Sequence, residues 1–184
     1  MNIVSLYPCP FAPADRHDIS AAVSKGGELY AYEEDKFTSV KQEPTSKFPE
    51  RSLFFGLREL GLEIRDIDLW VFPEPGQLVP LENLYVFFTS IVKAYTGNQP
   101  DFDTWERPCQ VPYGKVDPES KPDFVSWLET HVVYVPHAIS HVAMAVYTSE
   151  FADCAFLSMD GGGDPGDDRN MIFGQFQDNN FNFF

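Results

Sequence analysis

The sequence predicts an α/β fold, and three observations carry that reading. Strand-like runs open the chain, helical and strand-like runs then alternate, and the apolar run Ala155–Met159 stops abruptly at Asp160. Alternation of this kind suits a sheet covered by helices, whereas strands segregated from helices would point to α+β.

Taken in order, Asn2–Leu6 is a short apolar run and the first strand. Residues 7–16 hold Pro8, Pro10 and Pro13, which cannot donate to a ladder, and are expected to form a loop. Ile19–Ser24 and Glu28–Glu33 flank Lys25-Gly26-Gly27, a hairpin signal. The polar stretch Lys36–Lys47 reads as a loop. Phe48-Pro49-Glu50 opens a helix, with proline near its first turn, Gly61 just past its end and Leu53, Leu57 and Leu60 as its buried stripe. Leu69–Phe72 is a strand halted by Pro73 and Pro75.

Leu81, Leu84, Tyr85, Phe88, Ile91, Val92 and Tyr95 keep a helical period that closes at Gly97. Residues 99–122 contain five prolines and Trp105, and are expected to be an irregular insertion serving as a lid or contact surface. A short helix over 123–130, a strand over Val132–Val135, a helix carrying His137, and strands over Ala155–Met159 and Met171–Phe176 follow. An asparagine- and phenylalanine-rich tail, Gln177–Phe184, closes the chain. Ala155–Met159 is apolar on both faces and is expected at the centre of a covered sheet.

Three strands followed by alternating helices and strands is the layout of the first half of a ribonuclease-H-like, actin-like (ASKHA) domain. The last two strands read as the opening of a second half. The whole of 1–184 is therefore expected to be one domain, and an incomplete one.

Composition narrows the function. Hydrophobic residues make up 43% of the 184, with 17 phenylalanines, which excludes a disordered chain. The net charge of −15 disfavours a nucleic-acid partner, which needs a basic stripe. It leaves room for a small nucleotide held by backbone amides and a metal. Cys9, Cys109 and Cys154 are too scattered for a disulfide framework or a zinc knuckle, and Cys154 reads as a small core residue. No signal-peptide pattern and no membrane-spanning apolar run is visible, so a soluble cytoplasmic protein is expected.

The densest chemistry lies between Tyr134 and Asp164. His137 and His141 are four apart on a helix, so they share a face with Cβ atoms roughly 6 Å apart and suit one metal ion. Asp160 and the turn Gly161-Gly162-Gly163 fall at the carboxyl end of a strand, where open α/β sheets bind ligands. Two imidazoles, a carboxylate and a backbone that lets phosphate approach would make a metal-and-nucleotide site. The same residues also fit a core histidine, a surface histidine and an ordinary Asp-Gly turn.

In combination these pieces resemble the NodU/cephem O-carbamoyltransferases, specifically their N-terminal domain, which is similar to the tRNA threonylcarbamoyl-transfer proteins of the actin-like superfamily. The resemblance rests on His17-Asp18-Ile19-Ser20-Ala21-Ala22, Glu33-Glu34-Asp35-Lys36-Phe37-Thr38, Phe48-Pro49, His137-Ala138-Ile139-Ser140-His141 and Asp160-Gly161-Gly162-Gly163. It runs from Ile3 to about Phe176.

The resemblance implies transfer of a carbamoyl group to a substrate hydroxyl. Carbamoyl phosphate and ATP would form carbamoyl-adenylate in a separate C-terminal domain. His137, His141 and Asp160 would bind a divalent metal, by resemblance iron, that holds the nucleotide phosphates, beside the Gly161–Gly163 turn. His17 and Lys41 would be the catalytic pair at the reacting carbamoyl group. A histidine suits the base that a hydroxyl attack needs, and a lysine suits the developing negative charge.

Two departures stand out: Pro136 replaces a histidine usual at the start of the helix motif, and Asp164 replaces a glutamate after the glycine turn. The resemblance also leaves the second actin-like half, with its fourth metal ligand, and the adenylate-forming domain unaccounted for. The chain is therefore expected to be inactive alone, completed by a C-terminal domain or present as a homo-oligomer. Competing readings are a short non-catalytic relative that binds a nucleotide or partner, and a subunit completed by a separate chain.

Overall fold

The computed structural model describes residues 1–7, 19–39, 49–73, 130–160 and 171–184. They fall into two compact units, Met1–Phe72 with Gly76–Val133 and Pro73–Pro75 with Tyr134–Phe184.

In the first unit, β1 (Asn2–Tyr7), β2 (Ser20–Lys25) and β3 (Glu28–Glu33) form an antiparallel meander. The Gly26-Gly27 turn joins β2 to β3 with φ of 58° and 96°, the left-handed geometry whose twist matches a two-residue hairpin. β4 (Leu69–Phe72) runs parallel to β1 on its other side, and β5 (Val132–Tyr134) completes a sheet of order β3-β2-β1-β4-β5. The described residues are thus mixed α/β.

Alternation decides the core. Val4, Leu6, Val23, Trp70 and Phe72 point to one face and are fully buried. Against that face lies α2 (Glu50–Glu59), burying Leu53, Leu57 and Leu60 as its spacing predicts. Gly56 allows the close approach, since a Cβ there would stand 2.7 Å from Val23 Cγ2. The helix ends as the sequence indicates: Leu62 N–H donates to Leu57 O at 2.8 Å and Gly61 N–H to Arg58 O at 3.1 Å.

The start of α2 is less conventional. Its cap position is Pro49, which offers no side-chain acceptor. The carboxylate of Glu34 replaces it from 17 residues away, accepting from Arg51 N at 3.1 Å, Ser52 N at 2.9 Å and Ser52 Oγ at 2.8 Å. Glu34 is only 4% exposed, and its own N–H donates to Ile19 O at 2.8 Å. This one residue therefore ties three sequence motifs together, those around Ile19, Glu34 and Pro49.

The expected loop from Lys36 needs correction at its start. Asp35–Thr38 forms a single helical turn, α1, closed by Ser39 at φ 60°. Phe37 N–H and Thr38 N–H both donate to Glu34 O, so the fixed Glu34 nucleates the turn despite its polar sequence. Residues 40–47, the helix expected from Leu81 to Tyr95, and the insertion over 99–122 lie outside the described residues, as does most of the expected helix over 123–130.

The second unit begins with α3 (His137–Tyr147), followed by β6 (Cys154–Met159), β7 (Met171–Gln177) and β8 (Asn180–Phe183) in an antiparallel sheet of that order. Val142 and Val146, four apart on α3, pack with Phe176, and Cys154, Phe156, Ile172 and Phe181 close around them.

Two further expectations change here. The strand over Met171–Phe176 is not the last one, because Asp178 and Asn179 at φ 50° and 60° make a tight turn that pairs β8 with β7. β6 is not central: among the described residues it is an edge strand, with Leu157 and Met159 exposed. Its two apolar faces therefore have different fates, one packed on α3 and one bare.

Candidate metal centre

Three side chains converge at one end of the second unit. His137 Nε2 lies 2.8 Å from His141 Nε2 and 3.2 Å from Asp160 Oδ2, and His141 Nε2 is 3.7 Å from the same oxygen. Among the described residues these three form the His/Cys/Asp/Glu group able to share an ion, their ligand atoms all within 4.8 Å of one another.

Local sequence explains the convergence. Pro136 has φ −52°, suited to the entry of a helix, and its carbonyl accepts from Ser140 N at 3.1 Å, so the first turn starts at His137. At the other end Thr148 Oγ1 donates to Met144 O and Ser149 Oγ to Val146 O, both at 2.7 Å, which satisfies carbonyls the helix leaves open. The chain then reverses through residues 148–153 into β6. An 11-residue helix rises about 16 Å and a six-residue strand about 20 Å, so the start of α3 comes level with the end of β6. Packing of Val142 and Val146 on that sheet holds the two ends together.

The donor set fits a divalent transition ion. Ligands about 2.1 Å from one ion and 90–110° apart are separated by roughly 3.0–3.4 Å, and the observed 2.8, 3.2 and 3.7 Å bracket that range. Two imidazoles and one carboxylate on one side of an ion leave its other positions open, the arrangement that suits iron(II) or catalytic zinc. The rings meet edge to face, 85° between planes, and the 2.8 Å contact between their Nε2 atoms is a hydrogen bond from one imidazole to the other. His137, His141 and Asp160 are each partly exposed, at 26%, 47% and 34% of their side chains, which leaves an entry path from solvent.

The sequence reading named all three residues. His17, Lys41 and the Gly161–Gly163 turn lie outside the described residues. A separate open groove of about 350 Å³ lies at the far end of α3, lined by Val146, Tyr147, Phe151, Asp153, Phe176 and Asp178, and contains neither histidine. Among the described residues, no helix is long and apolar enough to cross a membrane.

No protein-family model matches the chain. It is 27% identical over 160 residues to sll1178, an uncharacterized protein of Synechocystis sp., a match that takes in 80% of this chain and 24% of that protein. The chain thus spans about a quarter of the length of that curated relative. Among solved structures it is similar to an uncharacterized Pseudomonas aeruginosa protein with similarity to the peptidase YEAZ, at a TM-score of 0.47 and 13% identity, over 100% of this chain and 63% of that one.

Proposed function

We propose that this chain forms part of an O-carbamoyltransferase of the NodU/cephem type, built on an actin-like domain, and supplies its metal and acceptor-side residues. The observation that carries the reading is the convergence of His137, His141 and Asp160. A helix pair of histidines alone is common, but a carboxylate brought against both from the next strand is a ligand set.

In this reading His137, His141 and Asp160 bind a divalent metal, taken to be iron from the resemblance. When bound, that ion would supply positive charge for the phosphate of carbamoyl-adenylate. The glycines Gly161–Gly163 would let backbone amides approach the same phosphate. His17 accepts the proton of the acceptor hydroxyl as its oxygen bonds to the carbamoyl carbon, and the bond from that carbon to the adenylate oxygen breaks, releasing AMP. Lys41 offsets the negative charge that develops on the carbamoyl oxygen. Formation of the adenylate from carbamoyl phosphate and ATP is assigned to another polypeptide region.

Metal analysis of the purified chain after loading with iron(II) or zinc tests the first half of this reading. Wild type should retain close to one ion, and His141→Ala and Asp160→Asn should lose most of it. Undiminished metal in both variants would refute the centre. The second half is tested by supplying the chain with carbamoyl phosphate, ATP, a hydroxyl acceptor and the remaining domain of a family enzyme. Carbamate should then form, and His17→Ala should lower the rate by about 10²–10⁴.

A further inference from the structure

One buried carboxylate takes no part in the chemistry proposed for the chain. Glu34 is 4% exposed, and a glutamate is that deeply buried only where its hydrogen bonds are met. It meets them with backbone from three places. Its N–H donates to Ile19 O at 2.8 Å, and its carbonyl accepts from Phe37 N at 2.9 Å and Thr38 N at 3.1 Å. Its carboxylate accepts from Arg51 N, Ser52 N and Ser52 Oγ. The start of β2, the turn α1 and the start of α2 are thereby joined at one residue.

Those three places are where the segments bearing His17 and Lys41 attach to the described residues. His17 is two residues before Ile19, and Lys41 is two after Ser39, whose N–H closes α1 on Asp35 O at 2.8 Å. Two residues span at most about 7 Å, so covalent geometry ties each of them to backbone that Glu34 holds or nucleates. The segment carrying Lys41 rejoins the described residues at Pro49, the cap position of the helix whose amides the carboxylate takes. A serine or aspartate at that cap position would satisfy an amide there just as well. It would not link α2 to Ile19 and α1, and the link is what a distant glutamate adds.

Resting on the transferase reading, we infer that Glu34 is a positioning residue of the transfer site. By joining the segments that bear His17 and Lys41 it holds those two groups in register, without itself contacting the substrate.

Two variants test it, each checked by circular dichroism for a retained fold. Glu34→Asp keeps the charge and withdraws the carboxylate by one methylene, about 1.5 Å. Glu34→Gln keeps the length and loses the charge. Glu33→Asp, at an exposed neighbour, is the control. The first readout needs no activity: NMR of the four histidines of the metal-free full chain, assigned by single substitutions. The His17 ring resonances should move in both Glu34 variants and in Lys41→Gln, and stay in Glu33→Asp. Those of His137 and His141 should stay in all of them. In the complemented transfer assay Glu34→Asp should lower kcat about 10–100-fold, with the bound metal retained. Unmoved His17 resonances in the folded Glu34 variants, or a kcat equal to wild type, would overturn the proposal. So would equal shifts of all four histidines, which would make Glu34 a general stabiliser. Absence of carbamate with the wild-type chain would instead refute the transferase reading, while selective movement of His17 would still establish that Glu34 and Lys41 set its place.

Discussion

Glu34→Ala removes the acceptor that caps α2 from outside the helix, and its cost can be worked from the contacts. Arg51 N and Ser52 N are the second and third amides of the helix, which no intrahelical carbonyl can reach. Loss of a cap costs about 0.5–2 kcal/mol, and loss of a carboxylate beside the positive end of a helix dipole about 0.3–1 kcal/mol more, or up to about 2 kcal/mol when partly buried. Ser52 Oγ adds little, because it also lies 3.2 Å from Pro49 O and can donate there instead. The expected total is about 2–3 kcal/mol. Glu34→Gln keeps an acceptor but loses the charge, and should fall between Ala and wild type. Glu33→Ala, whose side chain is 53% exposed, is the control and should change little. Urea unfolding at matched m-values reads these differences as shifts of the midpoint. A Glu34→Ala midpoint within about 0.5 kcal/mol of wild type would refute the capping account, because it would mean water or another group satisfies those amides equally well.

Two other predictions concern the metal centre. Val146→Ala touches no ligand, yet it opens the packing that holds α3 on the sheet, so it should cost about 1–3 kcal/mol and also weaken metal binding. A stability loss with unaltered metal affinity, measured by competition with a chelator, would separate the centre from that packing. Metal binding should weaken as pH falls, because protons compete for the two imidazoles and the carboxylate; a flat affinity from neutral to mildly acid pH would count against these ligands.

Much of the local structure was legible because its causes are local. Gly26-Gly27 sets the first hairpin, Pro49 and Gly61 bracket α2, and the spacing of His137 and His141 puts both rings on one side of a helix turn. The short strand Leu69–Phe72 is bounded by Pro73 and has the limits its sequence indicates. The β8 strand also has a local signal, since Asp178-Asn179 is a turn pair followed by phenylalanines at the alternate positions 181 and 183.

What only the tertiary structure decided are the long-range pairings. Glu34 is one carboxylate in an acidic run, and nothing in that run reveals that its side chain turns inward to the amides of Arg51 and Ser52. Ala155–Met159 reads as buried on both faces because both faces are apolar; hydrophobicity records that a face is built to be covered, not what covers it. The distance from Asp160 to the two histidines likewise depends on the direction in which residues 148–153 return the chain and on the match between a helix of about 16 Å and a strand of about 20 Å. The sequence by itself determined which side chains could bind a metal, since ligand chemistry belongs to the residue. Their meeting at one point was decided by the packing of Val142 and Val146 on the sheet, because only a contact between elements distant in sequence fixes where a helix end and a strand end come to rest.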